Sequence, residues 1–251
     1  MPAVADELWG ERVAARYDAD LGEMYEPAVL GPTADFLADL AGDGRALEFA
    51  IGTGRVAFPL RERGVDVHGI ELSQPMVDQL RRKPGGDAIP VTIGDMATTR
   101  VDGAFRLVYL VFNTITNLLT QEGQVDCFCN AAAHLEPGGR FVIEVGLPNL
   151  QRLPRGERFV PFEVTAEHLG IDEYELAEQR LVSHHYHVDG ERVERIDSPH
   201  RYAWPAEYDL MARIAGMTLV ERWADWHRTP FTNDSTTHVS VWQKPSDPPP
   251  A

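Results

Sequence analysis

The segment Leu47-Glu48-Phe49-Ala50-Ile51-Gly52-Thr53-Gly54-Arg55 sets an acid in a β-rich run and then two glycines where a strand would turn into a helix. Glycine at such a turn permits positive φ and lets a ligand come close to the backbone. Nineteen residues after Gly52, Glu71 closes a second β-rich run, the place where a carboxylate can accept both hydroxyls of an adenosine ribose. Gly94-Asp95-Met96 follows a third run, where the Asp carboxylate suits an adenine amino group and the methionine suits the face of the ring. Gly52-Thr53-Gly54-Arg55-Val56-Ala57 also satisfies G-x-G-x-x-A, so a dinucleotide remains open at this point.

A second set of groups lies downstream. Phe112-Asn113-Thr114-Ile115-Thr116-Asn117 follows a fully apolar run, and in doubly wound sheets substrates bind at such carboxyl ends. Asn113 and Asn117 are there as hydrogen-bonding groups, for an acceptor or for capping the loop. Ser183-His184-His185-Tyr186-His187 would alternate on a strand, with His185 and His187 on one face. His185 has the pKa range of a general base. A metal at His185 and His187 is not expected, because no acid or cysteine stands at zinc-like spacing. Cys127 and Cys129 form a lone C-x-C in an apolar stretch and read as small core residues.

Elements that would position these groups can be read from periodicity. Strands are expected at Leu47–Ala50, Val65–Leu72, Pro90–Ile93, Arg106–Phe112 and Arg140–Gly146, with helical patterns between them, the signature of βαβ units and a parallel sheet. Then Phe159–Leu169, Glu173–Val188 and Glu191–Trp204 read as long strand-like runs, the last two joined by Asp189-Gly190, a hairpin signal. Helix returns over Pro205–Ala215, followed by strands at Thr218–Trp226 and Thr236–Gln243. The expected division is a helical lead-in over 1–30, an α/β domain over 31–150 and 205–243, an antiparallel insertion over 151–204, and a disordered tail over 244–251.

Composition narrows the classes of partner. The 251 residues are 43% hydrophobic and 25% charged, as in globular proteins. A net charge of −16 repels phosphate backbones and anionic lipid, so neither nucleic acid nor membrane is expected as a partner. The one basic triplet, Arg81, Arg82 and Lys83, reads as the solvated end of a helix. The N-terminus lacks the order of a signal peptide, and a cytoplasmic location is expected.

Taken in order, LEFAIGTGR, the strand ending IEL, GDM, LVYLVFNTITNLLT, EPGGRFVIEV and the closing strand pair resemble the class I S-adenosylmethionine-dependent methyltransferases of small-molecule type, over about residues 31–150 and 205–243. Ala50 stands where the first glycine of that family's loop would be. The resemblance implies a Rossmann-like doubly wound, mostly parallel seven-stranded sheet with an antiparallel β insertion acting as lid. It implies S-adenosyl-L-methionine as cofactor and S-adenosyl-L-homocysteine as product. The backbone of Gly52 and the Arg55 side chain would hold the methionine amino and carboxylate groups, beside Ala50, and Glu48 would orient the loop or the ammonium. Glu71 would bind the ribose, Leu72 and Met76 would pack on adenine, Asp95 and Met96 would read its edge, and Phe112 would border the cofactor. The helical lead-in, with Tyr17 and Tyr25, resembles that of sugar N-methyltransferases, which implies Tyr17 as a lid contact and Tyr25 beside the acceptor. No Asn/Asp-Pro-Pro-aromatic motif follows the fourth strand, which leaves a small metabolite as acceptor, with Asn113 and Asn117 near it and His185 as base for a hydroxyl. The lid hairpin also suits a homodimer contact. The rival readings are a nicotinamide-dependent oxidoreductase and a non-catalytic cofactor-binding protein.

Overall fold

Strands and helices alternate from residue 46 to residue 146 in the computed structural model, which describes residues 9–246. Before them lie α1 (Glu11–Asp20), a short 3₁₀ turn (Gly22–Tyr25) and α2 (Pro27–Ala41). Pro27 opens α2, where its missing N–H costs nothing, and Gly42 at φ 53° ends it. The expected lead-in therefore runs unbroken into the first covering helix of the sheet.

The strands β1 (Ala46–Phe49), β2 (Val67–Glu71), β3 (Val91–Ile93), β4 (Phe105–Leu110) and β5 (Leu135–Gly146) pair in parallel in the order β3-β2-β1-β4-β5. Between them run α3 (Ala57–Glu62), α4 (Gln74–Arg82) and α5 (Gln121–His134). Ser73 caps α4 by accepting from the Met76 N–H, and Thr120 caps α5 by accepting from the Gly123 N–H. After α6 (Pro205–Ile214), β10 (Thr218–Trp223) and β11 (Thr237–Gln243) complete seven strands, with β11 antiparallel between β5 and β10. The doubly wound, mostly parallel sheet expected from the sequence is present.

Burial on both faces explains the near-continuous apolar runs of β1 and β4. On one face Phe49, Phe105, Phe128, Phe141, Tyr208 and Trp242 pack beneath α5 and α6, and Phe128 meets Phe141 edge-on with ring centroids 5.0 Å apart. On the other, Phe36, Leu37, Leu60, Tyr109 and Val241 pack beneath α2 and α3. Cys127 lies in the first of these cores as expected, whereas Cys129 is half-buried and outside both; both cysteines are free.

The insertion is a second sheet of four antiparallel strands, β6 (Phe159–Val164), β7 (His168–Glu175), β8 (Arg180–Asp189) and β9 (Arg192–Arg201). The three expected runs are thus cut at two turns that carry no glycine or proline. At the first, Thr165 Oγ1 accepts from the backbone N–H groups of Glu167 and His168. At the second, Gln179 takes a left-handed conformation, φ 53°. The β8–β9 turn falls on Gly190 and Glu191, one residue later than expected, with Asp189 and Arg192 paired. Lys244 is tied to the fold through Nζ, which donates to the carbonyls of Ala132 and Leu135, so the chain is held one residue into the expected tail. Residues 247–251 of that tail lie outside the described residues, as do residues 1–8 of the lead-in. Among the described residues, no helix is long and apolar enough to cross a membrane.

Candidate active site

The chain leaves β1 through two positive-φ residues, Ala50 at 52° and Gly52 at 56°. For alanine that conformation costs roughly 1–2 kcal/mol, while Gly52 takes it freely. A Cβ placed on Gly52 would meet nothing nearer than the Ala50 carbonyl oxygen at 4.0 Å, so the space before it is open to a ligand. Gly54 has the opposite reason for lacking a side chain, since a Cβ there would lie 2.7 Å from the Phe58 ring of α3.

Glu71, at the end of β2, is buried and held by two backbone donors, Gly52 N–H to Oε2 and Ser73 N–H to Oε1, each at 2.8 Å. Burial raises its pKa, against the lowering effect of the Ser73, Gly52 and Leu72 backbone groups. Each carboxylate oxygen keeps a further lone pair, so a pair of ribose hydroxyls finds acceptors already in place. The Gly52 N–H is engaged with this carboxylate and not turned toward the methionine part of a ligand, which departs from the role the sequence suggested for it.

Glu48, in the middle of β1, is sealed from solvent and accepts from the Tyr109 hydroxyl at 2.8 Å. Burial pushes its carboxyl up to about 8, opposed by the Tyr109 hydrogen bond and the Arg55 charge. The Arg55 guanidinium lies 5.0 Å from the centre of the Phe112 ring. Tyr17, from α1, reaches the same place: burial raises its phenol pKa, and the charges of Arg55, Glu71, Asp18 and Glu48 all act on it. Tyr17, Glu48, Arg55, Glu71 and Phe112 are thereby brought to one end of the sheet.

Three residues that the sequence did not single out hold this end closed. Asp18 Oδ1 accepts from the Thr53 hydroxyl at 2.6 Å and from the Tyr25 hydroxyl, while Lys83 Nζ lies 2.5 Å from Asp18 Oδ2 and donates to the Thr53 carbonyl at 2.9 Å. Burial raises the Asp18 pKa, but the hydrogen bonds from Lys83, Thr53 and Tyr25 outweigh it and hold the carboxyl below its usual range. Lys83 is therefore a clamp between lead-in and glycine loop, and Arg81 donates to the carbonyls of Gly86 and Ile89. This corrects the reading of that triplet as a solvated helix end. Tyr25, expected beside the acceptor, has its hydroxyl engaged in the clamp and serves as a strut. A groove of about 620 Å³ runs alongside, lined by Asp18, Tyr25, Arg55, Phe58 and Lys83 among others.

Leu72, just past Glu71, is half exposed, an apolar side chain free to meet a ring. Met76 and Met96 are buried, and Asp95 caps its own turn by accepting from the Ala97 N–H at 2.7 Å. Asn113 does not face an acceptor with its side-chain oxygen, which receives the Gly146 N–H at 2.5 Å. Its capping alternative is the one the structure uses. Asn117 is half-buried and has no side-chain hydrogen bond among the described residues. Trp226 packs edge-on against Phe36 in the core, while Trp204 is half exposed.

Strand pairing sets His185 on the same sheet face as His168, His187, Asp172, Ser183 and His200. Two contacts fix what that face looks toward. His200 Nδ1 lies 3.1 Å from Thr116 Oγ1 in the loop after β4, and Glu194, opposite His187, pairs with Arg12 of α1 at 2.8 Å. The face is therefore turned to the β4 loop and the lead-in. Burial, with the charges of His168 and His187, lowers the His185 pKa and keeps its ring neutral. His168 Nε2 lies 3.1 Å from His185 Nδ1. Among the described residues no group of histidine, cysteine or acid is arranged to hold a metal ion. Beyond the reach of periodicity, Asp18, Lys83, Thr116 and His200 come from four separated segments. Only Thr53, inside the glycine loop, carried a local signal.

The fold is Rossmann-like, with a buried acid, a glycine loop and an arginine gathered at the carboxyl ends of β1, β2 and β4. Residues 46–139 match the model of a methyltransferase domain. The chain is 40% identical to the CcbJ methyltransferase of Streptomyces caelestis, covering 85% of this chain and 88% of that one with a TM-score of 0.78. It is 26% identical over 238 residues to the cypemycin N-terminal methyltransferase of a Streptomyces species, 91% of this chain and 97% of that protein. Over 139 residues it is 30% identical to a dTDP-3-amino-3,4,6-trideoxy-alpha-D-glucopyranose N,N-dimethyltransferase of Streptomyces venezuelae, 51% of this chain and 58% of that protein. The chain belongs to the S-adenosylmethionine-dependent methyltransferases, and its cofactor is S-adenosyl-L-methionine. The dinucleotide and non-catalytic readings are set aside.

Proposed function

We propose that the chain methylates a nitrogen or oxygen of a small polar acceptor, an amino sugar or another secondary metabolite, with an amine as the first choice. The amine is favoured because two of the similar proteins are named for the methylation of amines, a peptide N-terminus and an amino sugar. The observation that carries the reading is the Thr116 to His200 contact, which sets the histidine-bearing face of the four-stranded sheet over the loop after β4.

S-adenosyl-L-methionine supplies a methyl group on a sulfonium, and the residues of the chain do the rest by position. Glu71 takes the ribose hydroxyls, Leu72, Met76, Asp95 and Met96 surround the adenine, and Arg55 faces the methionine carboxylate. Glu48, held near neutrality, is poised to ionise against the positive charge of the ligand. Ala50, Phe112 and Tyr17 complete the wall. Orientation of this kind supplies several kcal/mol, up to roughly 7–11 in the best intramolecular cases. For a hydroxyl acceptor, His185 is the base, worth about 10²–10⁴-fold. Asn117 is left to contact the acceptor. We also assign the 151–204 insertion the role of a lid, with its outer edge as a homodimer contact, and place the enzyme in the cytoplasm with no nucleic-acid partner.

The test is methyl transfer to a panel: dTDP-3-amino-3,4,6-trideoxy-α-D-glucopyranose, a peptide with a free N-terminus, and a phenol. A product one methyl heavier on either amine, with S-adenosyl-L-homocysteine released, is expected. Transfer to the phenol alone would overturn the amine choice, and would be abolished in His185→Ala if that residue is the base.

A further inference from the structure

His200 is fixed in one tautomer by a short relay of hydrogen bonds. Asn113 sits at φ 59°, donates its N–H to the Glu144 carbonyl at 3.1 Å and receives the Gly146 N–H on Oδ1. Its own carbonyl accepts the one hydroxyl proton of Thr116 at 2.7 Å. Thr116 Oγ1 therefore meets His200 as an acceptor, and the His200 Nδ1 at 3.1 Å must carry the proton. The lone pair is left on Nε2. That nitrogen has no hydrogen-bond partner among the described residues, and on a half-buried residue it is not sealed from solvent. Phe112 precedes Asn113 and lies under the Arg55 guanidinium, so the relay starts at the wall of the cofactor site.

We propose that His200 determines acceptor specificity: its Nε2 accepts a hydrogen bond from the N–H or O–H group that is to be methylated, and so orients the attacking atom. This rests on the methyl-transfer reading of the site. The class of acceptor follows: a primary or secondary amine, or a hydroxyl, entering as a neutral hydrogen-bond donor. A tertiary amine has no N–H to offer and is not carried to a quaternary product. Burial, with a smaller lowering effect from His185 on the same sheet face, brings the imidazole pKa down to about 4. A group so weakly basic is a poor resting place for a proton and a dependable acceptor across the physiological range. His200 therefore positions the nucleophile; the proton lost by an amine acceptor passes to solvent, and that of a hydroxyl acceptor to His185.

Nitrogen-detected NMR of the full chain with labelled histidine tests the tautomer. Besides His134, whose Nε2 accepts from the Val101 N–H, an imidazole with a protonated Nδ1 and bare Nε2 is expected at neutral pH, absent in His200→Asn and released to a mixture of tautomers in Thr116→Val. A protonated Nε2 at His200 overturns the proposal. Diethyl pyrocarbonate at mildly acidic pH tests access, with an adduct on His200 expected by peptide mass spectrometry and no adduct counting against an open Nε2. With whichever of the two amine probes is turned over, His200→Phe is expected to raise KM about tenfold, a lost hydrogen bond, with kcat less affected and part of the loss restored in His200→Gln. An unchanged KM in His200→Phe overturns the role. Calorimetry with S-adenosyl-L-homocysteine separates the two readings: wild type that fails to bind it refutes the methyl-transfer reading itself, while normal binding with the wrong tautomer refutes only the role of His200.

Discussion

All four residues of β1 are buried, whereas β8 buries only His184 among its ten. The seven-stranded sheet lies between two apolar layers, and its strands are located by area removed from water. The four-stranded sheet has a small apolar cluster of its own, Val160, Tyr174 and Tyr202 with Leu150, Leu153 and Leu181 around it. Polar links do much of the rest. Arg201 Nη1 and Nη2 donate to Gln124 and Glu207 at 2.6 Å, His200 meets Thr116, and Arg12 meets Glu194 at the surface. One sheet is placed by packing and carries the glycine loop. The other is placed by a few named bonds, so its position can be altered one residue at a time.

The largest test of that contrast is Arg201→Ala. Arg201 is buried and Glu207 half-buried, and removal leaves the Glu207 carboxylate without a cation, held only by the Gln121 and Gln179 amides. A loss of about 3–5 kcal/mol is expected in urea denaturation; a loss below 1 kcal/mol would show that the four-stranded sheet does not depend on this link. Next comes Glu71→Ala, which removes a charged acceptor from two backbone donors and from the ribose. Affinity for S-adenosyl-L-homocysteine should fall about 10²-fold by calorimetry, at about 1.5–3 kcal/mol for each hydrogen bond to a charged group. Unchanged affinity would remove Glu71 from the ribose assignment.

Acid should act on both sheets through one histidine each, half-buried His200 in the four-stranded sheet and buried His238 in the seven-stranded one. His200 is lowered to about 4 and His238, in β11, to about 3, both chiefly by burial. Between these values and the unfolded value near 6.5, the unfolded chain binds more protons, so stability rises with pH. It is complete above about 6.5 and is lost as pH falls toward 4 and then 3, with a slope approaching 1.4 kcal/mol per pH unit for each ring. His200→Asn and His238→Asn should each flatten that slope in thermal melts taken between pH 4 and 7. A slope unchanged in both would assign the acid sensitivity to other groups.

Asp18→Asn probes the clamp at a partly exposed site. Solvent screening limits the loss to about 1 kcal/mol, and faster hydrogen exchange confined to α1 is the expected signature. Uniformly faster exchange would mean that the clamp supports the whole fold. Arg12→Ala should do least, because a surface ion pair contributes about 0.2–1 kcal/mol; a larger loss in the denaturation midpoint would make the contact between α1 and β9 a principal support of the sheet.

Strands and helices of the cofactor sheet were legible because each carries its own periodicity. The helix expected over Pro205–Ala215 is present over Pro205–Ile214, opened by the proline and followed by a glycine turn at Gly216. Glu48, Gly52 and Glu71 were legible for a similar reason: strand ends and the loop between them are local in sequence. The four-stranded sheet was legible as antiparallel but not in its turns, because Thr165 and Gln179 make turns by side-chain bonding and by a strained φ that their residue types do not announce.

The sequence by itself determined the α/β class, the succession of strands and helices along the chain and the residues of the glycine loop, because these follow from periodicity and from the steric freedom of glycine. Tertiary structure alone decided that the Gly52 N–H serves Glu71, that Asn113 is a strut, and that Asp18 and Lys83 close the lead-in over the loop. It also brought Thr116 to His200, 84 residues apart, and so fixed which imidazole nitrogen carries the proton. Hydrogen bonds between distant segments leave no period in a sequence. They exist only once packing has set the elements side by side.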